Sequence, residues 1–297
     1  MNAPIATSIP EYLGQLRDAL AGADSALVQD ALYDAEEYLR AEWAEHPDLD
    51  ERALLASVAG SYGAPAEVAA IYRDTEATVV QALRTPPPRP RVSPAGRFFG
   101  VLADPRAYAS LLYMLLALAT GSFYFTWVVT GLSLSIGLAI LIIGIPFVIL
   151  FLASVRGLAL VEGRLVEAML GERMPRRPLY PERGLPMLQR IGAMFTDPRT
   201  WSTLFYMLLM QPLGVLYFTL AAVALAVALG VAALPFIQAF GGGQMWWFGE
   251  ALVLPMWSAP LTIAAGLLLL VLTMHGARGI GRLHAGLAKH LLVKSAA

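Results

Sequence analysis

The residues of this chain whose types and spacing could do chemistry are few, and most come in matched pairs. Asp-Pro-Arg occurs at 104–106 and again at 197–199, each time just ahead of a long apolar run. Asp104 and Asp197 suit helix N-caps, and a proline directly after the cap gives up no helical hydrogen bond. Arg106, Arg199 and Trp201 can then anchor each run at a layer of lipid headgroups. Tyr113, Tyr124 and Thr126 are matched 93 residues later by Tyr206, Tyr217 and Thr219. Hydroxyls inside apolar runs bond along or across helices, so packing is the plain reading of these six. The functional reading makes Tyr124 and Tyr217, with the aromatic residues Trp246 and Trp247, candidate contacts for a lipid or another hydrophobic ligand. Asp30, Asp34 and Glu37 crowd one helical stretch and form a candidate face for a basic partner.

Much other chemistry is excluded or unsupported. The chain has no cysteine, so disulfides, thiolate metal sites and cysteine nucleophiles are ruled out. Nothing has the form of a nucleotide-binding loop, a nucleophile elbow or a zinc-protease helix. His275, His284 and His290 lack carboxylate neighbours at metal-ligand spacing and read as ordinary residues of a membrane exit. Glu162 and Glu250 are lone carboxylates, and no Asp, Glu, Lys, Arg or His falls in the middle of an apolar run, which disfavours ion-coupled transport. The expectation is a protein that is not an enzyme, carries no cofactor and, given an acidic N-terminal part, binds no nucleic acid directly.

The elements that must position these residues follow from hydropathy. With 57% apolar and 14% charged residues among 297, and a mean hydropathy of +0.60, the chain belongs to the membrane class. From Ala107 to Val155 there is no charged residue. A single helix of that length would measure about 73 Å against a hydrocarbon core of about 30 Å, so the run must fold into a hairpin. Four spans are predicted near 107–130, 136–156, 201–235 and 256–277, with a tight turn at 131–136 and a loop at 236–255. All 21 Lys and Arg fall within 1–106, 156–199 and 278–294. By the positive-inside rule both termini and the central connection are cytoplasmic, as expected for a multi-pass protein of the bacterial inner membrane.

Residues 1–84 hold 15 Asp and Glu against 5 Lys and Arg and read as an acidic cytosolic domain of four helices. Ser8 and Asp24 are the candidate caps of the first two helices, and Pro65 opens the fourth. A Pro/Arg-rich linker follows at 85–96. The membrane part divides into one repeat over 97–173, a second Pro/Arg-rich linker at 174–186, and another repeat over 187–297. The two repeats match at an offset of 93 residues in their first spans, and the match resumes as RGLALVEGRL from Arg156 against RGIGRLHAGL from Arg278. The fold class is therefore all-α: four transmembrane helices in two tandem two-span repeats, plus a small helical bundle.

Asp197 to Tyr206, followed by Pro212 to Phe218, resembles a sensor-domain family of bacterial membrane proteins, and the resemblance covers about 95–290. YLGQLRDAL, the acidic YDAEEYL and the ending SYGAPAEVA, over about 8–75, are similar to the HAAS-type helical signalling domain. Relatives of that domain often accompany PadR-type transcriptional regulators. Together the resemblances imply signal transduction: the membrane repeats respond to lipid, membrane stress or a hydrophobic compound, and the N-terminal domain holds or releases a cytosolic regulator. The alternative is a lipid-handling or passive export protein, in which paired repeats, in one chain or a homo-oligomer, line a path.

Overall fold

The computed structural model describes residues 6–83, 93–138, 144–177, 189, 192, 195–240, 245–247, 249–252 and 254–293. The first four helices are α1 (Ile9–Ala19), α2 (Ser25–Glu45), α3 (Glu51–Ser61) and α4 (Pro65–Leu83). Ser8 caps α1 by accepting from the Glu11 amide at 3.3 Å, and Asp24 caps α2 by accepting from the Ala26 amide at 2.8 Å. Ile9, Leu16, Leu20, Ala31, Ala35, Leu39, Leu54 and Val58 recur at helical spacing and meet in one apolar core. Tyr12 ties α1 to the turn before α4 by donating to the Gly63 carbonyl at 2.8 Å, and Gly63 takes the left-handed conformation (φ 107°) that this turn requires.

A short helix α5 (Pro94–Phe99) and a 3₁₀ turn (Gly100–Ala103) lead into α6 (Pro105–Leu138). Then come α7 (Gly144–Leu165), α8 (Pro198–Phe240) and α9 (Ala259–Leu292). Among the described residues four helices are long and apolar enough to cross a membrane: Pro105–Leu138, Gly144–Leu170, Pro198–Phe240 and Met256–Leu292. Their outer faces are apolar too, with Leu112, Leu150, Phe205, Leu261 and Leu283 all exposed. Such a surface is stable only where the surroundings are hydrocarbon. The fold is that of an all-α multi-pass membrane protein.

The helices run past the ends predicted from charge. Residues 131–136, expected as a turn, are helical and belong to α6; the connection after them lies outside the described residues. Helices α7 and α9 do not stop at Arg156 and Arg278 but continue for several turns, since arginine favours the helix, and each arginine meets a carboxylate from another part of the chain. Arg156 stands 3.7 Å from Asp197, and Arg278 pairs with Asp104. α7 then winds into one π turn, Val166–Leu170, closed by Gly171 in the left-handed conformation (φ 77°). After α8 the chain forms a small antiparallel hairpin, with Trp246 opposite Ala251 and Trp247 opposite Glu250 around a turn at Gly249. This is a local feature of the predicted 236–255 loop.

Helices α6 and α8 approach each other closely. A Cβ added at Gly121 would run into the Met210 carbonyl, and one added at Gly214 into that of Ala117. Only glycine lets the two backbones meet this way. The two contacts are the same contact made twice, since Ala117 and Met210, like Gly121 and Gly214, lie 93 residues apart.

Candidate functional site

Beside this crossing, six side chains form a buried polar cluster. Glu162 from α7 and His284 from α9 are 0% and 1% exposed, and between them stand Tyr113 and Tyr124 of α6 and Tyr206 and Tyr217 of α8. Tyr113 and Tyr206 donate to Glu162 Oε1 at 2.5 and 2.9 Å, and Tyr124 donates to Oε2 at 2.9 Å. His284 Nε2 lies 2.6 Å from the Tyr113 hydroxyl and 3.0 Å from that of Tyr206, while Nδ1 lies 3.4 Å from that of Tyr217. With the protons of Tyr113 and Tyr206 spent on Glu162, their oxygens can only accept from His284. The network is satisfied when His284 carries its proton on Nε2 and accepts from Tyr217 at Nδ1.

Every member of the cluster has a counterpart at the sequence offset of its helix. Tyr113 matches Tyr206 and Tyr124 matches Tyr217 at 93 residues, while Glu162 matches His284 as the seventh residue of RGLALVEGRL and of RGIGRLHAGL. Tyr124 bonds to Glu162 as Tyr217 bonds to His284, and Tyr113 and Tyr206 bridge the two. The ion pairs follow the same rule, because Arg156–Asp197 and Arg278–Asp104 each join a second helix of one half to the start of the other half. Such a cluster is chemically a proton-sharing network closed to water. It offers no open face to a soluble substrate, and its strength depends on how closely the helices of the two halves are held.

A second polar constellation lies where the N-terminal helices meet the membrane part. Asp30, 5% exposed, accepts at Oδ1 from the backbone amides of Arg176 and Arg177 at 2.7 and 2.9 Å. Its Oδ2 lies 3.6 Å from Arg173, whose other terminal nitrogen lies 3.1 Å from Glu76 of α4. Arg177 meets Asp34 at 2.9 Å, with its guanidinium over the Tyr33 ring, and Gln29 donates to the Arg177 carbonyl at 3.0 Å. Lys289 of α9 reaches Asp24 at 2.6 Å and Glu172 at 2.5 Å. Burial raises the Asp30 pKa above the ordinary aspartate value, against the two amide bonds and Arg173, which pull it down.

The residues singled out in the sequence are distributed as follows. Asp104 and Asp197 accept from the amides of Arg106 and Arg199, both at 3.1 Å, and so cap α6 and α8. The Arg106 side chain packs over Gly171, and one terminal nitrogen of Arg199 is buried without a hydrogen bond among the described residues. Trp201 donates to the Phe195 carbonyl at 2.8 Å, as Tyr108 does to that of Leu102 at 2.8 Å. Tyr124 and Tyr217 are brought together in the buried cluster. Trp246 and Trp247 belong to the hairpin, and their side chains lie outside what is described. Asp30 and Asp34 face the chain's own membrane part, and Glu37 is half-buried on the same helix.

Local sequence does not single out His284 or Glu162: the first has the character of an ordinary residue at a membrane exit and the second that of a lone carboxylate. The signal that could have found them is their shared place in the two matched segments. Among the described residues no group of three or more His, Asp or Glu side chains is arranged to hold a metal ion.

No curated protein and no solved structure matches this chain. A family model does, over residues 113–292, a stretch that takes in the buried cluster and most of all four spans; the chain belongs to the family described as "Putative sensor".

Proposed function

We propose that the chain is a non-enzymatic sensor of the bacterial inner membrane, with both termini in the cytoplasm, that passes a membrane or hydrophobic-ligand signal to a cytosolic protein. The two halves of the membrane part are read as tandem repeats that meet at the Tyr-Glu-His cluster, and the N-terminal helices as a HAAS-type signalling domain. The observation that carries the proposal is the latch around Asp30. Asp30 and Asp34 of the face proposed to bind a basic partner are held by the chain's own Arg173 and Arg177, and Asp24 at the start of the same helix by Lys289. Those basic residues follow directly on α7 or lie on α9, the helices that supply Glu162 and His284. A stimulus that shifts α7 against α9 strains the cluster and displaces the latch, exposing the acidic face to a partner of opposite charge, for which a PadR-type regulator is the candidate.

A lipid-handling or passive export role needs an open route between the two halves. The buried cluster occupies that place, which favours sensing. The test is photocrosslinking in native membranes from a photoreactive residue at Glu37, in the natural chain and in Asp30→Ala. The proposal expects a basic regulator to be captured more strongly by the variant. Equal capture by both, or capture of the chain itself alone, would refute it.

A further inference from the structure

The two halves pack differently where their second helix meets their first. In the first half the space between α6 and α7 is filled by aromatic rings: Phe151 packs against Gly131, where a Cβ would strike its ring, and Trp127 donates to Ser154 at 2.9 Å. The residues at the matching positions of the second half are Thr273 for Phe151, Ala224 for Gly131, Leu220 for Trp127 and Gly276 for Ser154. All four line a cavity of about 430 Å³ between α8 and α9, floored by Leu111 and Met114 of α6. Two aromatic side chains are thus replaced by smaller, non-aromatic ones, and the space the rings would fill is left open.

We propose that this groove is a binding site for one aliphatic chain of a membrane lipid. Its lining carries no charge, and its one hydroxyl, Thr273, is spent on the Leu269 carbonyl at 2.8 Å, so it offers nothing to a polar ligand. Leu220 and Leu272 on its rim are 46% and 48% exposed on the apolar surface of the spans, so it opens sideways into the hydrocarbon. A methylene occupies roughly the volume of one liquid water, ~30 Å³, so the groove holds on the order of a dozen methylenes, the scale of an acyl chain. An empty groove would leave its lining atoms without contact partners, and in hydrocarbon the commonest filler is a lipid chain. The inference rests on the sensor reading only for its consequence, that the stimulus is the chain filling α8 against α9.

The full chain is placed in phosphatidylethanolamine–phosphatidylglycerol vesicles holding a trace of phospholipid with a diazirine midway along one acyl chain. After photolysis the labelled peptides are mapped. Label on 219–228 and 268–280 at five times or more the label on the matching 126–135 and 146–158 is the expected result. The filled variant, L220W with A224G and T273F, loses that excess. Should it not fold, the opposite variant, F151T with W127L, opens the first half and gains label there. Equal labelling of both halves in the natural chain overturns the proposal, as does label that is displaced by an aromatic hydrophobe but not by excess unlabelled phospholipid. Amide exchange at Arg176 and Arg177, followed in the same vesicles, separates the two readings: groove label without any change at the latch sinks the sensor coupling and leaves the lipid site standing.

Discussion

Replacing Asp30 by alanine should open the latch while leaving both folded parts intact. The carboxylate accepts two backbone amides, from Arg176 at 2.7 Å and Arg177 at 2.9 Å, and lies 3.6 Å from Arg173. Hydrogen bonds to a charged group contribute about 1.5–3 kcal/mol each, and part of that is returned because the variant no longer buries a carboxylate. The net loss is on the order of 2–3 kcal/mol, roughly 30- to 200-fold in the docking equilibrium. Hydrogen exchange at the amides of Arg176 and Arg177 reads this directly, since both donate to the side chain removed. Protection should fall by that factor in Asp30→Ala and by only a few-fold in Asp30→Asn, which keeps one acceptor oxygen. The pH dependence has a definite sign. Burial raises the Asp30 pKa above its value of 3.8 in the unfolded chain. The folded form therefore holds the proton more tightly, and stability falls as pH rises from the unfolded value through the raised one. Measured against Asp30→Asn, the natural latch should tighten as pH is lowered through that window. Unchanged protection in the alanine variant, or the opposite pH trend, would refute this account of the latch.

The buried cluster and the helix crossing make further predictions. Glu162→Ala leaves three phenol hydroxyls without their acceptor and should cost about 3–5 kcal/mol, seen as a large drop in thermal unfolding temperature in detergent; an unchanged temperature would mean that the cluster does not join the two halves. Tyr124→Phe removes a 2.9 Å bond to a carboxylate and Tyr217→Phe a 3.4 Å bond to an imidazole, so the first should destabilise more than the second despite their matched positions. Gly121→Ala and Gly214→Ala drive a methyl into a facing carbonyl and should each cost ~1–3 kcal/mol, whereas Gly137→Ala, with nothing within 4 Å of the added Cβ, should be close to neutral in the same melt.

What the sequence made legible was what depends on local chemistry. Ser8 and Asp24 are caps because a short polar side chain ahead of an apolar period has little else to do, and both cap helices here. The pairing of Tyr113 with Tyr206 and of Tyr124 with Tyr217 could be read from spacing alone, but their targets, Glu162 and His284, could not. Ending the spans at Arg156 and Arg278 left Glu162 and His284 outside the predicted membrane helices. A charge-free run marks where a span can lie, not where its helix ends, and each of these arginines is followed by further helical turns and paired with an aspartate from the opposite half. The acidic face on α2 was legible as a face, but which surface it meets depends on where Arg173 and Arg177 come to lie, and no local rule fixes that.

The π turn at Val166–Leu170 lies between Glu162 and Arg173, and it winds one more residue into its turn than an α-helix does. Each residue of an α-helix accounts for about 100° of rotation and 1.5 Å of rise. The stretch therefore works like a gear with one spare tooth. Let it slip by that tooth, and the short stretch that carries Arg173 turns through more than a quarter of a circle while α7 itself stays still. The guanidinium of Arg173, now between Asp30 and Glu76, would be swung off both at once. A small movement at the buried glutamate could thus emerge at the latch as a discrete click rather than a graded push.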